Sequence, residues 1–257
     1  MPSIEEIRQY IAELDLAERP APAAAEVTLP TPPTYKPDVP QIITVGSQIS
    51  EFAKGVPVEL RSTIINSFLL AQLAADRWIE THPHSSDDTW YRSYLTILKK
   101  CGWLVERDET ALQTVSGDGS KVHREIIKVL TLALGPVVSA ASLVLGVVNG
   151  LAAMEDGQPF VTIFDRASQH AEAQLFQISY VDVGPNREPR INLAAYHIEA
   201  NASATQILFF KFAGSNAKLR TSSANLAIDE DVLADVSDAI GEKVKEHIVG
   251  SVAEIEI

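Results

Sequence analysis

From residue 4 to residue 14 the chain places Ile4, Ile7, Tyr10, Ile11 and Leu14 three and four residues apart, the spacing of one helix face. Ser3 precedes them as a candidate N-cap, and Glu5 and Glu6 occupy the first turn, where carboxylates favour the positive helix end. A second stripe of Leu60, Ile64, Ile65, Phe68, Leu69, Leu73 and Trp78 predicts a helix that starts near Pro57 and runs to about His82. After the polar turn HPHSSDD, Trp90, Tyr94, Ile97, Leu98 and Cys101 repeat at helical spacing until Gly102 stops the run. A further helix is expected from Ser120, with Gly117 and Gly119 supplying the turn before it.

That last helix leads into residues 129–154, VLTLALGPVVSAASLVLGVVNGLAAM, twenty-six positions without a charge between Lys128 and Glu155. As a continuous helix the run would extend roughly 39 Å, and a bilayer core needs only about 20 such residues. Gly135 and Pro136 predict a kink, because the proline ring displaces the carbonyl four residues earlier. Gly146 and Gly150 form a small-xxx-small pair that lets helices approach closely. The run reads either as a helix or hairpin buried on all sides by other helices, or as a segment that contacts lipid. Its key positions are Leu134, Gly135, Pro136, Val144, Gly146, Val148, Gly150 and Leu151.

Beyond Asp156 the period changes. QLFQISYVDV, RINLAAYHIEA and TQILFFKFAG are β-rich runs, KLRTSSANLAI is a fourth, and turn residues separate the first three. Asp229, Glu230 and Asp231 then open a closing helix that carries Val232, Leu233, Val236, Ile240, Val244 and Ile248. The expected class is α+β, with a helical N-terminal two-thirds around a central hydrophobic helix or hairpin. A three- to four-stranded antiparallel meander and a C-terminal helix follow it. Three parts are expected: an amphipathic helix over 1–17, a proline-rich arm over 18–41 holding seven of the fourteen prolines, and one globular domain over 42–257.

Charge narrows the choice of partners. Thirty-four acidic against twenty-one basic residues give a formal charge of −13 with no basic cluster, which argues against nucleic acid and against electrostatic capture by anionic lipid. Membrane contact, if made, is hydrophobic. The alternative partner is a protein docked through residues 1–41. A single cysteine excludes an intrachain disulfide, and an acidic N-terminus lacks the pattern of a secretory signal. Synthesis in the cytoplasm, with any release by a route that reads no such signal, is the expectation.

Candidate chemistry is sparse. His82, His84, Asp87 and Asp88 are metal-type ligands, but they crowd around a proline in a polar turn with no second ligand pair at a distance, so no metal site is assigned. Gly117 to Lys121 lacks phosphate-loop spacing, no G-x-S-x-G elbow occurs, and neither a catalytic residue nor a cofactor is assigned. Cys101 is a candidate acylation site, and its place on an apolar stripe fits a buried thiol equally.

A soluble domain that keeps a long, small-residue-rich apolar stretch under amphipathic helices resembles the α-helical pore-forming toxins of bacteria, over roughly residues 57 to 156. The resemblance implies that an element such as 134–151 lies hidden in the resting protein and inserts after a conformational change. It points to a toxin- or virulence-like protein whose apolar segment meets lipid. The alternative is a non-enzymatic interaction or ligand-binding protein that docks through its N-terminal arm and keeps the same segment as permanent core.

Overall fold

The computed structural model describes residues 2–18, 33–82, 89–116, 119–134, 163–164, 167–170, 173–185, 187–200 and 216–255. Helix α1 (Ile4–Glu13) begins with a reciprocal cap: Ser3 Oγ accepts from the Glu6 amide at 3.3 Å, and the Glu6 carboxylate accepts from the Ser3 amide at 2.7 Å. Its Ile7 and Ile11 are buried at 2% and 1% exposure. Helix α2 (Val58–Thr81) follows Pro57 as its N-cap residue, and α3 (Thr89–Lys100) ends before Gly102, whose φ of +100° suits glycine. Helix α4 spans Gly119–Leu134, and α5 spans Glu230–Ile248 with Asp229 Oδ1 accepting from the Asp231 and Val232 amides.

The strands are β1 (Gln41–Val45), β2 (Gln48–Phe52), β3 (Leu104–Ser116), β4 (Gln169–His170), β5 (Ala173–Val183), β6 (Pro189–Ala200), β7 (Asn216–Ala227) and β8 (Val252–Glu254). They correct the expected architecture. The class is α+β, but among the described residues the sheet has eight strands and is mixed. Seven lie on one path in the order β3-β7-β6-β5-β2-β1-β8, with β4 pairing beside β5. Strands β2 and β5 pair in parallel, Ile49 opposite Ile178 and Phe52 opposite Val181, whereas the other pairs are antiparallel.

Nor is the first part of the chain all helical, since β1, β2 and β3 fall within it. The reasons are physical. Strands β1 and β2 are buried at every position, so they show no alternation in sequence. Strand β3 ends the strand path and carries Glu106, Arg107, Asp108 and Glu109 consecutively, which hides its β pattern behind exposed charge. Helix α5 does not close the chain either, because β8 follows it and pairs with β1. The run 205–214, expected as a strand, lies outside the described residues.

The sheet is covered on both faces. Along β6, Ile191, Leu193 and Ala195 enter a core shared with α1, α2, α3 and α5. The alternate residues Ala194, Tyr196 and Ile198 enter a second core with Ile126, Leu130 and Leu134 of α4. Tyr196 donates its hydroxyl to the Ile126 carbonyl at 3.0 Å and ties α4 to the sheet.

Candidate functional site

The uncharged run is described only at its start. Val129 to Leu134 form the last turns of α4; Leu130 and Leu134 are buried, while Leu132 on the outer side of the helix is 72% exposed. Gly135, Pro136, Val144, Gly146, Val148, Gly150 and Leu151 lie outside the described residues. Among the described residues no helix is long and apolar enough to cross a membrane. The run therefore starts from a helix anchored by one face to the sheet and bare on the other.

Beside that bare face lies an open groove of about 680 Å³, walled by Val129, Leu132 and Ala133 and floored by strands β3 and β7. The register sets Arg107 opposite Asn225, Glu109 opposite Ser223 and Ala111 opposite Thr221, so three rungs in succession present side chains to one face. Arg107 Nη2 donates to Glu109 Oε2 at 2.8 Å, and Asn225 Nδ2 donates to Asn192 Oδ1 at 2.5 Å. A groove with one apolar wall and a polar, charge-balanced floor suits an amphipathic molecule.

Sequence reading missed these floor residues. Those on β3 stand in a strand that its charges concealed, and those on β7 became site residues only through pairing with a strand distant in sequence, as Glu109 opposite Ser223 shows.

Under α2 and α3 the opposite face of the sheet holds a buried polar seam. Tyr94 donates to Gln48 Oε1 at 2.8 Å, Gln48 Nε2 donates to Ser179 Oγ at 3.0 Å, and Ser179 donates to Ser50 Oγ at 2.8 Å. Gln72 of α2 accepts from the Ser47 amide at 3.0 Å and donates to the Val45 carbonyl at 3.0 Å. The seam fastens both helices to the parallel pair β2 and β5, and burial without such partners would be costly. A cavity of about 20 Å³ beside it, bordered by Trp90, Tyr91, Gln177 and His197, has room for about one water.

The other sequence candidates lie apart from the groove. Cys101 is 1% exposed in the first core, and burial pushes its thiol up to about 12. The His82 ring stacks on Trp78 with centroids 4.2 Å apart. His84, Asp87 and Asp88 lie outside the described residues, among which no cluster of three or more metal-type ligands occurs. The apolar side of α1 faces inward: Arg8 Nη2 donates to the Asp235 carbonyl at 2.7 Å, and Lys243 Nζ donates to the Ala12 carbonyl at 2.8 Å, holding α1 on α5.

No protein-family model and no curated protein matches the chain. Solved structures distantly similar to the chain include two described by name. One is a delta-endotoxin, 13% identical, covering 82% of this chain and 91% of its own, with a TM-score of 0.45. The other is the Evf virulence factor, 12% identical, covering 96% of this chain and 88% of its own, with a TM-score of 0.36. These are distant likenesses to a toxin and to a virulence factor, and no residue role is taken from either.

Proposed function

We propose that this chain is a toxin- or virulence-like protein that meets lipid through the uncharged run 129–154. The observation that carries the reading is the way the run begins. Leu130 and Leu134 hold the end of α4 against the sheet, and Leu132 stands 72% exposed on the other side of the same two turns. Twenty uncharged residues follow Leu134, enough to reach into a bilayer core of about 30 Å. With a net charge of −13 the protein gains nothing from anionic headgroups, so apolar transfer must supply the affinity, and acidification that neutralises carboxylates lowers the repulsion.

The test is dye release from neutral and anionic vesicles between about pH 7 and about pH 4.5, since added protons reduce the net negative charge. The wild-type protein is expected to release dye, more strongly toward the acid end, and Val144→Asp with Val148→Asp is expected to abolish release and binding. Undiminished release by a folded double variant sinks the reading. So does a wild-type protein that releases nothing and keeps the run protected from hydrogen exchange throughout.

A further inference from the structure

The floor of the groove beside α4 restricts the kind of lipid it can take. Its charges cancel: Arg107 is already met by Glu109 at 2.8 Å, and both side chains are 60% exposed. An anionic headgroup would find that guanidinium neutralised, within a chain of net charge −13, and a cationic one would find the carboxylate equally engaged. What remains is neutral hydrogen-bonding chemistry. Asn225 lies between Arg107 and Asn192 on one rung of the sheet, and Ser223 lies beside Glu109 on the next. Carboxamides and hydroxyls offer donors and acceptors side by side, and a carboxylate beside a guanidinium does the same.

A sugar presents the matching pattern, because each hydroxyl of a vicinal diol both donates and accepts and carries no charge. The opposite wall of Val129, Leu132 and Ala133 provides apolar surface for the chain that such a head would bear, and the volume of about 680 Å³ falls within the range of small-molecule sites. We propose that this groove binds the neutral glycosyl headgroup of a membrane glycolipid, with the lipid chain lying against Val129, Leu132 and Ala133 of α4. The inference rests on the lipid-contact reading and adds to it the class of lipid selected.

The experiment compares flotation of the full chain with phosphatidylcholine vesicles and with the same vesicles containing a diacylglycerol monoglucoside. A parallel titration adds octyl glucoside, below its micelle concentration, to isotope-labelled protein and follows the backbone amides by NMR. Binding to the glucoside vesicles is expected to be about tenfold tighter. Asn225→Leu with Ser223→Val should remove that preference with the circular dichroism spectrum unchanged. Leu132→Asn, at an exposed position that folding does not depend on, should weaken it independently.

Equal binding of the wild-type protein to both vesicles overturns the glycolipid groove and leaves the lipid-contact reading standing. A preference that survives in both variants also overturns it. Failure to bind any vesicle, with the Ser223 and Asn225 amides still shifted by octyl glucoside, overturns the membrane reading and supports the sugar site alone. Failure of both measurements overturns both.

Discussion

Arg61 shows how far one residue's role depends on its surroundings. It sits at 0% exposure, where a cation is tolerated only if its donors are met. Its Nε donates to the Val56 carbonyl at 3.0 Å, Nη1 to Gln41 Oε1 at 3.0 Å, and Nη2 to the carbonyls of Ala53 at 2.8 Å and Val39 at 3.1 Å. The Phe52 ring lies 5.6 Å from the guanidinium. The fork therefore closes the loops on either side of β1 and β2 over the start of α2. Arg61→Met removes four hydrogen bonds, although Gln41 Oε1 keeps the Lys36 amide and the Ala53 carbonyl keeps the Val56 amide, and should cost about 3 kcal/mol in urea unfolding, with Arg61→Lys recovering only part because an ammonium cannot span the set. An unchanged midpoint for Arg61→Met would show that the acceptors find water instead.

Cys101 is the second residue whose setting decides its chemistry. Raising its thiol from 9.0 to about 12 leaves about a thousandfold less thiolate at neutral pH. The native protein should accordingly resist maleimide at pH 8 and react readily in urea. Fast native labelling would return Cys101 to the list of accessible nucleophiles. The sequence carried half of this. The stripe of Trp90, Tyr94, Ile97, Leu98 and Cys101 places the thiol on an apolar helix face. Two acceptors of Arg61, Gln41 and the Val39 carbonyl, come from the far side of β1 and β2, an approach that no local spacing encodes.

Among the elements, α4 has two faces with opposite consequences. Leu130 is fully buried with Ile126 and Leu134 against Tyr196 and Ile198, whereas Leu132 is 72% exposed. Leu130→Ala should cost about 3 kcal/mol and speed amide exchange across α4 and the facing part of β6. Leu132→Ala should change stability by less than about 0.5 kcal/mol. Similar costs for the two would mean that Leu132 is not on a free surface.

The helices were readable because a 3.6-residue period reports a buried face, as in α1 with its Ser3 cap, α3, α4 and α5, while α2, buried on all sides from Ser67 to Ala75, was readable from its length and broad apolar stripe. Strands β1 and β2 were not readable as strands, since complete burial removes the period of two. Strand β3 was missed because its charges stand at the end of the strand path among the described residues, where solvent, not packing, receives the side chains from Glu106 to Glu109.

For the whole molecule, the double-sided cover of the sheet makes a prediction about alkali. Burial raises the phenols of Tyr94 and Tyr196 well above 10, pushes Tyr10 and Tyr35 up to about 12, and does the same to the Cys101 thiol. Each acid keeps its proton when folded and would lose it earlier when unfolded. Stability is therefore full below about pH 8, where the unfolded thiol and phenols are protonated too, and declines as pH rises from there toward about 12. Each fully buried group adds a slope of up to about 1.4 kcal/mol per pH unit. Urea midpoints should fall between pH 8 and pH 10.5, and Tyr196→Phe should flatten the decline. A level profile would mean that these phenols reach solvent in the native state.

By itself the sequence determined where helices form, how α1 is capped, that Cys101 shares an apolar face, and that residues 129–154 carry no charge. Each of these is a local matter of spacing or composition, and backbone geometry converts it directly into a face. Only the tertiary structure decided that β2 runs parallel to β5, that α4 alone among the described helices of eight or more residues packs on the second core, and that Arg107, Asn225 and Asn192 share one rung beside Leu132. Those placements join residues scores of positions apart, and their register is settled by which arrangement buries both sheet faces and satisfies the polar groups between them.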